Sequence, residues 1–485
     1  MQRREFLKRA GLLGGAAAAA AFLPGCRQLF PTGFDPGRGI LDGAPSDAPI
    51  DHVVVVMMEN RSFDHWLGWL ADDQAYLDAG RSRYGASFTV DGLQQQSFVG
   101  PGGVMVPTGH MPSQPDQPNP FQGCGHPDPG HGWNSGRAQR DGGFLAPGSN
   151  NDTYALGYYL ADEIPFTSRL AKEFTTFDAY HCSVLGPTYP NREYLHAAQS
   201  GGNKTNYLPI AEGGFDWPTI WDKLEAAGVP CRYYASDLPV TALWGNRLTR
   251  FQRALPDYYD DCANGTLPNV VMVDPTFLGA NQNDDHPHAD IRGGQRFLRE
   301  VFQAFYESPH WDSGVFIITY DEWGGFFDHV APPTFADHRW SSNDQDNFQQ
   351  AGFRVPTVMA SPFALRGFVD HRQYEHTAIL RFLEWRFLGA PAEGWGSDTD
   401  TWYLTTRDRW SANIGASLRD TRISNDAGFD VAGLALPLPD PPCAEPDSLG
   451  AAGGGASREG ESEDLDFQHA LEMGYFERVG APVYL

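Results

Sequence analysis

Ile50-Asp51-His52-Val53-Val54-Val55-Val56-Met57-Met58-Glu59-Asn60 is the stretch that decides the fold. An apolar run of this length, without polar alternation, has the pattern of a strand covered on both faces, as strands of parallel sheets are. It stops abruptly at Glu59-Asn60. Polar residues at the carboxyl end of a buried strand stand where α/β folds carry their chemistry. Moving outward, Val270 to Val273 runs into Asp274-Pro275, Val315 to Tyr320 into Asp321-Glu322, and Val355 to Ala360 into Ser361-Pro362. Helical patterns lie between these runs over 218–227, with Gly228 as the stop, over 295–307 and over 377–388. The alternation predicts an α/β three-layer sandwich around a mainly parallel central sheet.

The chain divides into four parts. Residues 1–26 read as an export address and 27–48 as a flexible leader. A single domain spans 49–436, its segment 71–160 a loop-rich cap. The stretch 437–485 is a Pro- and Gly-rich acidic tail whose last residues dock back on the body. In the address, Arg3-Arg4-Glu5-Phe6-Leu7-Lys8 precedes a weakly apolar Ala/Gly stretch, a twin-arginine pattern. It predicts passage through the twin-arginine export machinery. Leu23-Pro24-Gly25-Cys26 has the look of a lipobox. Either Cys26 is acylated and holds the protein at a membrane surface, or cleavage nearby releases it to the periplasm or the medium.

Acidic residues number 61 against 35 basic ones, for a formal charge of −26. With no lysine-rich face, nucleic acid is excluded as a partner. The same excess suits sites that hold cations through oxygen ligands. Cys124, Cys182, Cys231, Cys262 and Cys443 follow no CxxC or zinc-ribbon spacing, which leaves room for a disulfide or two and at least one free thiol.

Four islands carry chemistry. Glu59-Asn60 and Asp321-Glu322, each at a strand end, together offer four oxygen ligands of the kind a hard divalent cation prefers; singly, each pair would serve as well to cap a following helix. Gly186-Pro187-Thr188-Tyr189-Pro190-Asn191-Arg192 fixes the backbone around one hydroxyl, with a helical pattern over 193–199 directly behind it. A hydroxyl there faces backbone N–H donors and the positive end of the helix dipole, although a plain helix cap has the same sequence. The fourth island is histidine: His126 and His131, His286 and His288, and His329, several beside Pro and Asp.

Met58-Glu59-Asn60-Arg61-Ser62-Phe63-Asp64-His65, Thr188-Tyr189-Pro190-Asn191-Arg192, Asp321-Glu322-Trp323-Gly324-Gly325-Phe326-Phe327-Asp328-His329-Val330 and Arg354-Val355-Pro356 leading to Ser361-Pro362-Phe363 occur in that order. In these segments, from about residue 50 to about residue 390, the chain resembles the phosphoesterase family of bacterial phospholipases C and acid phosphatases, a branch of the alkaline-phosphatase-like fold. The resemblance implies one divalent metal ion, Ca²⁺, Mg²⁺, Mn²⁺ or Zn²⁺, held by Glu59, Asn60, Asp321, Glu322 and the hydroxyl of Thr188. It implies Thr188 as nucleophile and a covalent phosphothreonine. His131 and His286 fall near the phosphate as acid and charge-steadying groups, with Asn60, Arg192 and His329 as further substrate-binding candidates and Asp328, His288 and His126 behind them. Arg192 has two readings, a bidentate phosphate ligand or a lock on the loop through a carboxylate.

The implied substrate is a phospholipid or small phosphate ester. The threonine and the Asp-Glu-Trp-Gly-Gly block resemble the phospholipases C, which cut the glycerol side of a phosphodiester in phosphatidylcholine-like lipids. An acid phosphatase acting on monoesters is the second reading, and a surface lipoprotein that binds a phosphorylated ligand without turnover is the third.

Overall fold

The valine run forms β1 (His52–Met58), buried along its whole length beyond His52. The computed structural model describes residues 36–113, 119–393, 402–423, 429–443 and 467–484. The twin-arginine segment, Cys26 and the Gly-rich acidic part of the tail lie outside the described residues.

With β1, strands β2 (Thr175–Phe177), β3 (Cys231–Ala235), β4 (Gln252–Ala254), β5 (Val270–Asp274), β6 (Gly314–Tyr320), β7 (Val358–Ala360) and β8 (Phe368–Asp370) form one eight-stranded sheet, ordered β8-β2-β7-β6-β1-β5-β3-β4. From β6 through β1, β5 and β3 to β4 every pairing is parallel. Only β7 runs against its neighbours, β6 on one side and β2 on the other. The sheet is therefore mainly parallel, and because β1 and β6 are buried residue after residue, both of its faces are covered.

Helices α1 (Pro165–Glu173), α2 (Thr188–Ala197), α3 (Ile220–Ala226), α4 (Ile291–Tyr306) and α5 (Thr377–Leu388) supply much of that cover, α1 against α4, and α5 against α2 and α3. Their ends follow local chemistry. Thr219 and Asp222 make a reciprocal capping box at the start of α3, and the Asp290 side chain accepts from Arg292 N at the start of α4. The described parts of the tail are tied to the body. Cys443 is disulfide-bonded to Cys124 in the cap, and near the C-terminus Tyr475 donates its hydroxyl to Ala242 O at 2.9 Å. Cys182, Cys231 and Cys262 are free and buried. Among the described residues no helix is long and apolar enough to cross a membrane.

Near the end of α2, His196 is packed among the rings of Trp221, Tyr233 and Trp244 and accepts the Trp221 indole N–H on Nδ1 at 3.2 Å. Burial, helped by the nearby Arg192 charge, pushes its pKa down to about 3. A histidine whose folded pKa is depressed contributes stability above its unfolded pKa and loses it as pH falls toward the folded one, at about 1.4 kcal/mol per unit. Urea titrations in chelator at pH 7, 5 and 4 should show the wild type weakening faster on acidification than His196→Gln, which cannot take up the proton. Parallel pH profiles for the two proteins would refute this.

Candidate active site

Strand register brings the acidic pairs to one edge. Met58 lies opposite Tyr320 and Val56 opposite Val273, so Glu59 and Asp321 leave the sheet level with each other and Asp274 ends the strand beside them. Neighbouring strands are about 4.8 Å apart, so these residues share one small area. Backbone hydrogen bonds hold the loops together: Glu59 N donates to Asp284 O at 2.8 Å and Arg61 N to Glu322 O at 3.2 Å. The Asp321 side chain binds the turn as well, Oδ1 accepting from Asn60 N at 3.2 Å and from Glu322 N at 2.7 Å.

The paired glycines that follow Trp323 have a steric reason. Gly324 has φ +62° and its missing Cβ would lie 2.2 Å from Asn60 O; Gly325 has φ +68° and would meet Gly130 O at 2.6 Å. The loop after β6 thus presses its backbone onto Asn60 on one side and onto the loop of His131 on the other, which only glycine permits.

Thr188 opens α2 instead of preceding it, so the helix starts five residues earlier than the pattern over 193–199 indicated. Pro190 is compatible with this, because the first turn of a helix has no use for its N–H. The loop is locked by Asn191, whose Oδ1 accepts from Val184 N at 2.9 Å while Nδ2 donates to Gly186 O at 2.8 Å and Pro187 O at 3.1 Å. Arg192, one turn along the same helix face as Thr188, is placed among carboxylates. Its Nε donates to Asp321 Oδ2 at 3.0 Å, one terminal nitrogen to Asp274 Oδ1 at 3.3 Å, and the other lies 3.3 Å from Glu59 Oε1. Of the two readings of Arg192, this geometry matches the carboxylate lock, and it fastens the threonine's helix to all three strand ends.

The histidines fall into separate groups. His131 and His286 face each other, ring centroids 6.0 Å apart, with Asp128 Oδ2 at 3.7 and 3.6 Å from a nitrogen of each. His131 Nδ1 donates to Pro129 O at 2.8 Å and His286 Nδ1 to Pro287 O at 3.1 Å, which puts the lone pair of each neutral ring on Nε2. Burial opposes charge on His286, but Asp128 and Asp284 outweigh it and its pKa is raised. His329 belongs elsewhere: Nδ1 donates to Asp64 Oδ2 at 2.6 Å, and Arg354 bridges Asp64 and Asp328 at 2.8 and 2.9 Å. This buried network joins the loop after β1 to the loop after β6. His126 donates to Asp152 at 2.7 Å, and His288 donates to His126 O at 2.9 Å, so both brace the cap.

Two contributors were not singled out from the sequence, Asp128 between the histidines and Asp274 beside Arg192. The strand-end rule that picked out Glu59 and Asp321 applies equally to Asp274. Asp128 carries only its place between His126 and His131 as a signal.

The donors fit a hard divalent cation. Asn60 is fully buried at φ +60°, yet neither Oδ1 nor Nδ2 of its amide has a hydrogen-bond partner, and the same holds for the buried Glu322 Oε1. Each such orphan costs about 1–3 kcal/mol unless something satisfies it. Charge points the same way. Burial drives the Glu322 pKa well up against the pull of His131, and lifts Asp274 to about 7 against the pull of Arg192. Carboxylates crowded in this way, with one guanidinium among them, are better satisfied by a further cation with oxygen preference.

The sequence profile of the phosphoesterase family matches residues 50–388, the span that holds every one of these groups. The chain belongs to the phosphoesterase family. This phosphoesterase is 30% identical over 403 residues to the non-specific phospholipase C6 of Arabidopsis thaliana, covering 76% of this chain and 72% of the relative. It is 29% identical to the non-hemolytic phospholipase C of Burkholderia pseudomallei (79% and 61% covered) and 28% identical to phospholipase C B of Mycobacterium tuberculosis (81% and 82%). Among solved structures, a protein in the alkaline phosphatase superfamily from Vibrio parahaemolyticus aligns over 88% of this chain and 80% of its own, at 9% identity and a TM-score of 0.35, so the two are only loosely alike. As a member of its family the phosphoesterase is a hydrolase of phosphate esters.

Proposed function

We propose that this phosphoesterase is an exported, metal-dependent phospholipase C that cuts the glycerol-side phosphodiester bond of phosphatidylcholine-like lipids. The observation that carries the metal-dependent site is the Asn60 amide, buried, unpartnered and held at positive φ beside Glu322. The names of the relatives support the lipid substrate, and the twin-arginine pattern at Arg3-Arg4 supports export, with Cys26 either acylated or removed.

Glu59, Asn60, Asp321 and Glu322, together with the Thr188 hydroxyl, would hold the cation. When bound it supplies positive charge that favours the ionised hydroxyl and offsets charge on the phosphoryl oxygens. The protein's own groups do the rest. Thr188 Oγ1, its proton given up to solvent, forms a bond to phosphorus as the bond from phosphorus to the diacylglycerol oxygen breaks, leaving the phosphoryl headgroup on the threonine. The raised pKa of His286 beside Asp128 suits it to deliver a proton to that leaving oxygen, with His131 steadying the phosphoryl charge. Water then cleaves the phosphothreonine and releases the phosphorylated headgroup.

Purified protein should release diacylglycerol from phosphatidylcholine and should split a water-soluble choline phosphodiester faster than the matching monoester. Chelation should abolish turnover of both diesters and one divalent metal should restore it. A monoester preference would move the assignment to a phosphatase. Full activity after exhaustive chelation would sink the metal role.

A further inference from the structure

In the cap, the strands Ser97–Val99 and Met105–Pro107 pair as an antiparallel hairpin, with Phe98 opposite Val106 and Val99 opposite Met105. Phe98 and Val106 turn inward against the core. The outward face of a two-stranded ribbon with one packed side is normally polar. Here it is not: Val99 is 61% exposed, Met105 55%, and Val104 at the turn 64%. The eleven residues from Ser97 to Pro107 contain no charge, in a chain of net charge −26. At the tip, Gly102 and Gly103 project into open space.

The root of this apolar finger stands on the site. Phe98 packs edge-to-face on Phe327 at 5.5 Å and on Phe144 at 6.0 Å. Phe327 O accepts the Ser62 hydroxyl at 2.6 Å, two residues past Asn60. Just before the hairpin, Gln94 donates to His329 at 2.9 Å. A finger fixed to the loop after β6, which Ser62 ties to the loop after β1, is held in a set relation to the active site, while its exposed tip carries no charged side chain.

Resting on the phospholipase reading above, we propose that the hairpin tip is an interfacial anchor that inserts Val99, Val104 and Met105 among the acyl chains of an uncharged or zwitterionic phospholipid surface. An anionic surface would repel so acidic a protein, whereas a zwitterionic one leaves apolar burial to act alone. This occupant is also the surface on which the proposed substrate lies.

The test is co-sedimentation of the full mature chain with phosphatidylcholine vesicles, comparing wild type with Val104→Glu/Met105→Glu. The substituted side chains already face solvent, so the fold and the turnover of a water-soluble choline phosphodiester should be unchanged. Vesicle association is expected to fall at least about tenfold, and hydrolysis of vesicle lipid with it. Association is read without turnover, so it judges the anchor even if the lipid is not cleaved, and lipid cleavage judges the phospholipase reading separately. Equal sedimentation of the two proteins overturns the anchor. So does a wild type that elutes as a dimer on gel filtration and becomes monomeric only in the variant, since the tip would then be a contact between copies.

Discussion

Thr188→Ala is expected to lower kcat on a choline phosphodiester by about a thousandfold or more while leaving the fold intact. The two halves of this expectation rest on different facts. Thr188 stands at the first position of α2, where Pro187 and not Thr188 is the cap residue, and no cap hydrogen bond comes from a side chain there. Removing the hydroxyl should therefore change stability by less than about 1 kcal/mol. For the chemistry, a nucleophile has no substitute. Thr188→Ser should keep measurable turnover because it keeps an oxygen at the same place on the helix. Acid-quenched wild type caught during turnover should carry one phosphoryl headgroup on the peptide containing Thr188, and the alanine variant none. If the alanine variant turns over within about tenfold of wild type, water and not the threonine attacks phosphorus.

Much of this architecture was legible because the buried parallel strand has a distinctive sequence. The runs at Val53, Val270 and Val315 are apolar without alternation and end in carboxylates, and all three are adjacent strands at the centre of the sheet, their carboxyl ends side by side. The helical pattern over 377–388 matches α5 to the residue, and Gly389 ends it in the left-handed conformation. The run at Val355 was read as a strand but not as the one that opposes its neighbours, since strand direction depends on the connection and leaves no mark in the strand itself. The start of α2 lies earlier than the pattern over 193–199 indicates because Pro187 is its cap residue and Pro190 fits its first turn, so neither proline interrupts it. Contacts between distant parts of the chain were not legible at all. Nothing local links Arg354 to Asp64, 290 residues away, or pairs Cys124 with Cys443 across 319 residues. The contact of His329 with Asp64, 265 residues away, is equally invisible in the sequence.

Arg192→Met is expected to cost about 3–5 kcal/mol of stability in the metal-free protein, the range for removing one partner of a buried ion pair. The guanidinium is almost wholly buried and meets Asp321, Asp274 and Glu59 within 3.3 Å, so methionine fills part of the space and leaves three carboxylates to face one another. The penalty should depend on pH with a definite sign. Burial lifts the Asp274 pKa to about 7 even with Arg192 pulling it down. Without that pull it must rise further. A carboxyl whose folded pKa is raised favours the fold below its unfolded pKa, near 4, and loses that contribution as pH climbs through the folded value. Between about pH 4 and 7 Asp274 is protonated in both folded proteins, so the deficit of the variant should be nearly constant there and should widen above about pH 7, where only the wild type has given up that proton. Saturating divalent metal should narrow it, because a cation among the same oxygens replaces part of the lost charge. Arg192→Lys should recover only part of the loss, since an ammonium cannot present three separate edges to three carboxylates. Denaturant midpoints at pH 5.5, 7 and 8.5, with and without metal, test each step. A deficit that is flat with pH would mean that the three acids are not held in register by this one side chain.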